Sequence, residues 1–208
     1  AGFRGAFSTF CKSKIPQMSI FKNSLDDSIS LRKLILEDAA FQDEFQKIVS
    51  IVEDCFRSGG KLLLCGNGGS ASDAQHISAE LSGRFKLDRE PLFAEALHVN
   101  SSYLTAVAND YGFDEVYARM TKAMGRKNDV LIGLSTSGNS KNVRKALEVA
   151  NTIGMTTIAF LGENLGEIGK IASLKIQIPS GNTARIQEIH ITLGHILCEE
   201  IENRIFKA

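Results

Sequence analysis

The sequence predicts a three-layer αβα sandwich: a five-stranded parallel sheet between helices, with helices leading into it and a long helix closing the chain. Two observations carry that expectation. Five short apolar runs, at residues 61–65, 93–99, 129–135, 155–161 and 174–178, are apolar on both faces instead of alternating apolar with polar. Helical stretches and polar turns separate them, and right-handed crossovers between parallel strands set such helices against both sheet faces.

Taken in order, residues 1–17 (AGFRGAFSTFCKSKIPQ) precede Met18 and share no periodicity with the rest of the chain. They read as a leader outside the fold, with a native extension as the alternative. From residue 19 to about residue 57, Leu25, Ile29 and Leu36, then Phe41, Phe45, Ile48, Val49 and Val52, recur at helix spacing. Two amphipathic helices therefore precede the first strand, and Ser58-Gly59-Gly60 supplies their stop signal. The closing helix, from about residue 183 to residue 206, carries Ile186, Ile189, Leu193, Ile196, Leu197 and Ile201, with Lys207 at its negative end. These helices hold more apolar surface than one small sheet can cover, which predicts self-association as a symmetric oligomer.

Composition bounds the function. A chain of 208 residues with 43% hydrophobic and 23% charged residues suits one soluble domain with a sizeable core. Its 24 basic and 24 acidic residues are scattered rather than blocked, so neither nucleic acid nor an anionic membrane surface is an expected partner. Cys11, Cys55, Cys65 and Cys198 form no CxxC pair and read as reduced, mostly buried thiols. No apolar run approaches the roughly 20 residues of a spanning helix, and a cytoplasmic protein is expected.

Chemistry concentrates in two turns. The first strand ends in Cys65-Gly66-Asn67-Gly68-Gly69-Ser70, and a helix follows from Ala71, with Ser70 as its expected cap. Glycines let backbone amides approach an anion at a helix N-terminus, although an ordinary strand-to-helix turn reads the same way. A Walker loop is excluded because no Gly-Lys-Ser/Thr follows. A dinucleotide fingerprint is weakened because the second strand runs into His98-Val99-Asn100-Ser101 with no acid for a ribose hydroxyl. The third strand runs into Ser135-Thr136-Ser137-Gly138-Asn139-Ser140. Its hydroxyls and amides, at the carboxyl end of a parallel strand, suit a phosphate dianion. His76 and Glu80 share a helix face at i, i+4, which fits a ligand site and equally a solvated His–Glu pair. Gln187 and His195 lie eight apart on the last helix.

With the segments CGNGGSASDAQHISAELSGRF, AVANDYGFDEVYAR, DVLIGLSTSGNSKNV and ARIQEIHITLGH in this order and spacing, the chain resembles the phosphoheptose isomerases of the SIS-domain group. The likeness covers nearly everything after Met18 and implies one SIS domain over residues 18–208. It also implies an enediol isomerisation of the ketose sedoheptulose 7-phosphate to the aldose D-glycero-D-manno-heptose 7-phosphate, a step toward lipopolysaccharide heptose. In the family pattern Glu80 is the base and His195 its acid partner. His76, Glu80, Gln187 and His195 would hold one zinc ion per subunit. Substrate would meet Asn67, Gly68, Gly69, Glu80, Asn109, Asp110, Ser135, Thr136, Ser137, Ser140 and Gln187. Residues 135–140 take the phosphate, and Asn67 and Asp110 take sugar hydroxyls. The likeness further implies a homotetramer with sites near subunit interfaces. Ala184 stands where some relatives carry an acid, Arg84 is read as a surface or interface residue, and His98 and His190 are read as structural. The rivals are a non-catalytic SIS scaffold that binds a replication initiator, a sugar-phosphate-sensing regulator, and a SIS isomerase of another sugar phosphate. The first lacks the proton-transfer set present here, and the second needs a DNA-binding domain that this neutral N-terminal region does not supply.

Overall fold

The computed structural model describes residues 17–207; the leader residues 1–16, with Cys11, lie outside the described residues. All five expected strands form: β1 Leu62–Cys65, β2 Ala94–Ala96, β3 Val130–Ser135, β4 Thr156–Leu161 and β5 Leu174–Gln177. They pair in parallel in the order β2-β1-β3-β4-β5. β2 is much shorter than the run 93–99 because it is an edge strand pairing only with the four-residue β1. Beyond it Leu97 N–H still donates to the Leu64 carbonyl (2.9 Å), and the chain then turns away.

The helices are α1 Gln17–Glu37, α2 Ala39–Arg57, α3 Gly69–Ser82, α4 Ser101–Tyr111, α5 Val116–Met124, α6 Lys141–Ile153, α7 Ile168–Ile171 and α8 Thr183–Phe206. Period-two alternation along the strands divides the interior into two cores. Leu62, Leu64, Val130, Ile132, Ile158 and Phe160 pack with α2, α3 and α8, whereas Leu63, Leu131, Ala159 and Leu161 pack with α4, α5, α6 and α7. Each fully buried Leu, Ile or Phe is worth about 1.5–3 kcal/mol, so both faces must be covered for the sheet to persist.

The apolar stripe on α1 stays largely uncovered within the single chain, in line with the surplus of apolar helical surface. Leu31 and Ser28 are its buried side chains, while Leu25, Ile29 and Leu36 are exposed alongside Ile20, Phe21 and Leu34. Polar contacts fix that orientation: Ser28 Oγ donates to Glu188 on α8 (2.9 Å), and Arg185 bonds the Ser24 carbonyl while pairing with Glu188. Helix α2 behaves as predicted, with Asp38 accepting from Phe41 N–H (3.0 Å) at its start and Ile48, Val49 and Val52 fully buried. Among the described residues no helix is long and apolar enough to cross a membrane, and Cys55, Cys65 and Cys198 are buried free thiols.

Because β1 lies between β2 and β3, the connection from β2 to β3 passes over it, putting α3 on one face and α4 to α6 on the other. The carboxyl ends of β1 and β3 therefore flank the topological switch point, where open α/β sheets form their ligand crevice.

Candidate functional site

Both turns lie on that crevice. After β1, α3 begins at Gly69 with Gly68 at the N-cap in a backbone conformation (φ 57°) that L residues rarely adopt. Ser70 is consequently not the cap: it is the second helical residue, buried, and its predicted role falls to a glycine that offers no side-chain cap. Gly69 is required by proximity, since a Cβ there would lie 2.7 Å from the Gln187 side-chain amide. Tyr117, buried on α5, donates its hydroxyl to the Gly66 carbonyl. The Asn67 amide is paired in both directions with Asn142, at 2.9 and 2.8 Å.

After β3, the buried Ser135 hydroxyl lies 2.9 Å from that of Ser140, the N-cap residue of α6. Thr136 is half-buried and Ser137 exposed, with its hydroxyl accepting from Asn139 N–H (3.2 Å). The loop before α7 backs this turn: Ile168 N–H donates to the Gly138 carbonyl (3.0 Å) and Glu167 N–H to the Asn139 side chain (3.1 Å). Hydroxyls and a helix N-terminus thus share one corner, an arrangement suited to an anion.

The proton-transfer candidates meet where α3 packs on α8. His76 Nε2 lies 3.1 Å from Glu80 Oε1 and 3.4 Å from His195 Nε2, and the three ligand atoms all fall within 4.8 Å of one another. The two imidazoles stand edge-on, their centroids 4.9 Å apart, and Phe85 stacks on His195 at 5.7 Å. Zinc bonds of about 2.0–2.1 Å in a tetrahedron separate neighbouring ligand atoms by about 3.4 Å, so this imidazole–carboxylate set fits that ion. Gln187 reaches the glycine turn instead, two helical turns or about 12 Å along α8 before His195. Asn109 and Asp110 are exposed on the last turn of α4 and hydrogen-bond each other (2.9 Å), without a hydrogen bond to the other candidates.

Several supports escaped sequence reasoning. Arg89 and Glu202 form an ion pair (2.9 Å) with both side chains almost wholly buried. Arg89 also donates to the carbonyls of Glu80 (3.0 Å) and Leu81 (2.8 Å), closing the end of α3. Burial alone would raise the Glu202 carboxyl, but N–H donors from Lys86, Phe85 and Leu87, with the Arg89 guanidinium, outweigh it and hold the pKa below the usual range. The one signal in the sequence was an acid lying on the apolar stripe of Leu197, Cys198 and Ile201. Asp73, one turn before His76, is a second omission. Burial pushes its carboxyl up to about 6, against the pull of His76, and its Oδ2 is buried without a hydrogen-bond partner. His190, read as structural, is fully buried with a ring nitrogen 3.3 Å from the Leu161 carbonyl.

A parallel sheet with glycine and hydroxyl turns flanking its switch point is the architecture of a SIS domain, and the family model for that domain matches residues 30–162. Phosphoheptose isomerase of Clostridium acetobutylicum is 46% identical over 182 residues, spanning 88% of this chain and 93% of that protein. Two solved structures align over 89% of this chain and 98% of theirs: the phosphoheptose isomerases of Neisseria gonorrhoeae (TM-score 0.84, 38% identity) and Francisella tularensis (0.86, 32%). The chain belongs to the phosphoheptose isomerase family of SIS-domain proteins.

Proposed function

We propose that this protein is an aldose–ketose isomerase that converts sedoheptulose 7-phosphate to D-glycero-D-manno-heptose 7-phosphate, supplying heptose for lipopolysaccharide. The convergence of His76, Glu80 and His195 carries the reading, because a non-catalytic SIS scaffold has no use for a carboxylate and two imidazoles within 4.8 Å. Identity of 46% to a phosphoheptose isomerase along almost the whole chain supports it.

In this mechanism the Glu80 carboxylate removes the proton from the carbon beside the ketose carbonyl, and His195 delivers a proton to the carbonyl oxygen, giving an enediol. Glu80 then returns its proton to the former carbonyl carbon while His195 takes the proton of the adjacent hydroxyl, leaving the aldose and restoring both groups. Phe85 fixes the plane of the His195 ring, and the Arg89 bond to the Glu80 carbonyl fixes the helix end from which Glu80 projects. Ser135, Thr136, Ser137 and Ser140 hold the phosphate, and Gly68, Gly69 and Gln187 the nearer part of the sugar. Asn109 and Asp110, exposed at the end of α4, serve hydroxyl groups of the sugar. His76, Glu80, Gln187 and His195 would hold zinc, which would supply Lewis-acid polarisation of the carbonyl.

The exposed α1 row of Phe21, Leu25, Ile29 and Leu36 supports self-association in which copies cover these helices, and the family pattern makes the assembly a homotetramer. A cytoplasmic setting suits both the substrate and the free thiols.

Turnover of sedoheptulose 7-phosphate in deuterium oxide, followed by NMR, tests the reading. The expected product is the aldose carrying deuterium beside its carbonyl, and Glu80→Gln should lower kcat by about 10²–10⁴-fold with the fold and sugar-phosphate binding retained. No conversion with zinc supplied would exclude the isomerase, and near-normal turnover of the variant would remove Glu80 as base.

A further inference from the structure

We propose that Asn142 is a positioning residue of the isomerase, paired with the Asn67 side chain in a clasp across the crevice. The proposal rests on the isomerase reading and goes beyond it. Asn67 stands in the glycine turn after β1, while Asn142 is the second residue of α6, immediately after the hydroxyl turn. Their amides pair reciprocally: Asn67 Nδ2 donates to Asn142 Oδ1 (2.9 Å), and Asn142 Nδ2 donates to Asn67 Oδ1 (2.8 Å). Asn142 Oδ1 also accepts from Val143 N–H (2.9 Å), satisfying a first-turn amide of α6 that has no partner within the helix. Asn142 is 2% exposed, so in the folded chain its amide is partnered by Asn67 and not by bulk water. The pair uses one amide proton and one carbonyl lone pair of Asn67, leaving the others of this half-buried side chain facing the crevice.

The clasp joins the two parts of the site that one substrate must span. On one side is the turn holding the phosphate; on the other is the turn from which α3 carries His76 and Glu80. Tyr117 secures the same glycine turn from a different direction through the Gly66 carbonyl, so residues 66 and 67 are both tied to elements of the far sheet face. A fixed span is what a near-attack geometry needs, and displacement by about 1 Å can cost on the order of 10²-fold in rate.

The test is a double-mutant cycle with Asn67→Ala, Asn142→Ala and the double variant. It reads kcat and KM for sedoheptulose 7-phosphate, competitive inhibition by inorganic phosphate, and hydrogen exchange at residues 66–70 and 141–143. A clasp predicts that each single variant lowers kcat/KM by about 10–100-fold, that the double variant is no worse than either, and that phosphate inhibition shifts less than about twofold. Exchange at both turns should quicken in either single variant while the sheet stays protected. A sugar contact without the clasp predicts loss in Asn67→Ala alone, and independent roles predict multiplied losses; either outcome overturns the proposal. Asn67→Ala breaks the clasp from its more exposed side, so the cycle survives poor folding of Asn142→Ala. An inactive parent enzyme would defeat the isomerase reading alone, whereas unchanged exchange at both turns would defeat the clasp whatever the activity.

Discussion

The turn after β3 and the packed ends of α3 and α8 supply the two halves of the proposed site, and different forces secure them. The turn is built from neutral groups: the Ser135 and Ser140 hydroxyls, the Asn139 amide, and backbone bonds to the loop before α7. The helical ends depend on charge, with Arg89 and Glu202 paired in the interior under His195 and Glu80. Neutral donors suit a dianion that brings its own charge to the turn, since a fixed carboxylate nearby would repel it. The carboxylate and two imidazoles proposed to move protons need the reverse, a rigid frame that holds titratable groups together at 3.1–3.4 Å.

If that contrast is correct, the costliest single change lies in the frame. Arg89→Met leaves Glu202 buried with only its backbone donors, and breaking such a pair costs about 3–5 kcal/mol. In a chain of this length that corresponds to a fall on the order of 10 °C in melting temperature, measurable by calorimetry. The Glu80 and Leu81 carbonyls lose their shared donor in the same variant, so turnover should fall even well below the melting temperature. A loss under about 2 °C would mean that the three N–H donors hold Glu202 alone, and the contrast would break.

A smaller effect separates the halves by pH. Burial pushes the His190 imidazole on α8 down to about 4, with its bond to the Leu161 carbonyl opposing the shift. Above about pH 6.5 His190 is neutral in both the folded and unfolded chain. Between that pH and about 4 the unfolded chain binds a proton that the folded chain refuses, so stability falls as pH falls. From pH 7 to pH 5 this group alone removes about 2 kcal/mol. Urea unfolding at the two pH values should show His190→Gln losing about 2 kcal/mol less than the parent across that interval, whatever its stability at pH 7. Equal losses would mean that His190 takes up its proton without unfolding.

The sheet was readable from sequence because both-face burial leaves an unbroken apolar run, and each of the five runs became a strand. His76 with Glu80 was readable from the helical period, but His195 joins them only because Gly194 lets α8 close on Ile77, where a Cβ would lie 2.5 Å from that side chain. The family resemblance named His195 where spacing alone could not. Asn142 and Arg89 were illegible for a different reason: their partners lie 75 and 113 residues away, and nothing local marks a neutral amide or an arginine as buried. The exposed stripe on α1 agrees with the surplus of apolar helical surface read from the sequence. Its helical period was correct, and polar bonds to α8 turn it outward, so period alone does not say what an apolar face will meet.

The smallest change sharpens the contrast most. Ser140→Ala removes a single neutral hydroxyl contact to Ser135, and such a bond contributes about 1 kcal/mol net, or about 2–4 °C in melting temperature. A hydrogen bond to a charged group is worth more, about 1.5–3 kcal/mol, so phosphate bound at this turn should weaken by about tenfold or more. Calorimetric titration with inorganic phosphate, beside a melting scan of the same sample, reads both quantities. A large loss of phosphate affinity with a small loss of stability marks a turn built for an anion. If melting instead falls as far as in Arg89→Met while phosphate affinity holds, the Ser135–Ser140 contact is a structural brace, and the anion must be held by the backbone amides and the other hydroxyls of the turn.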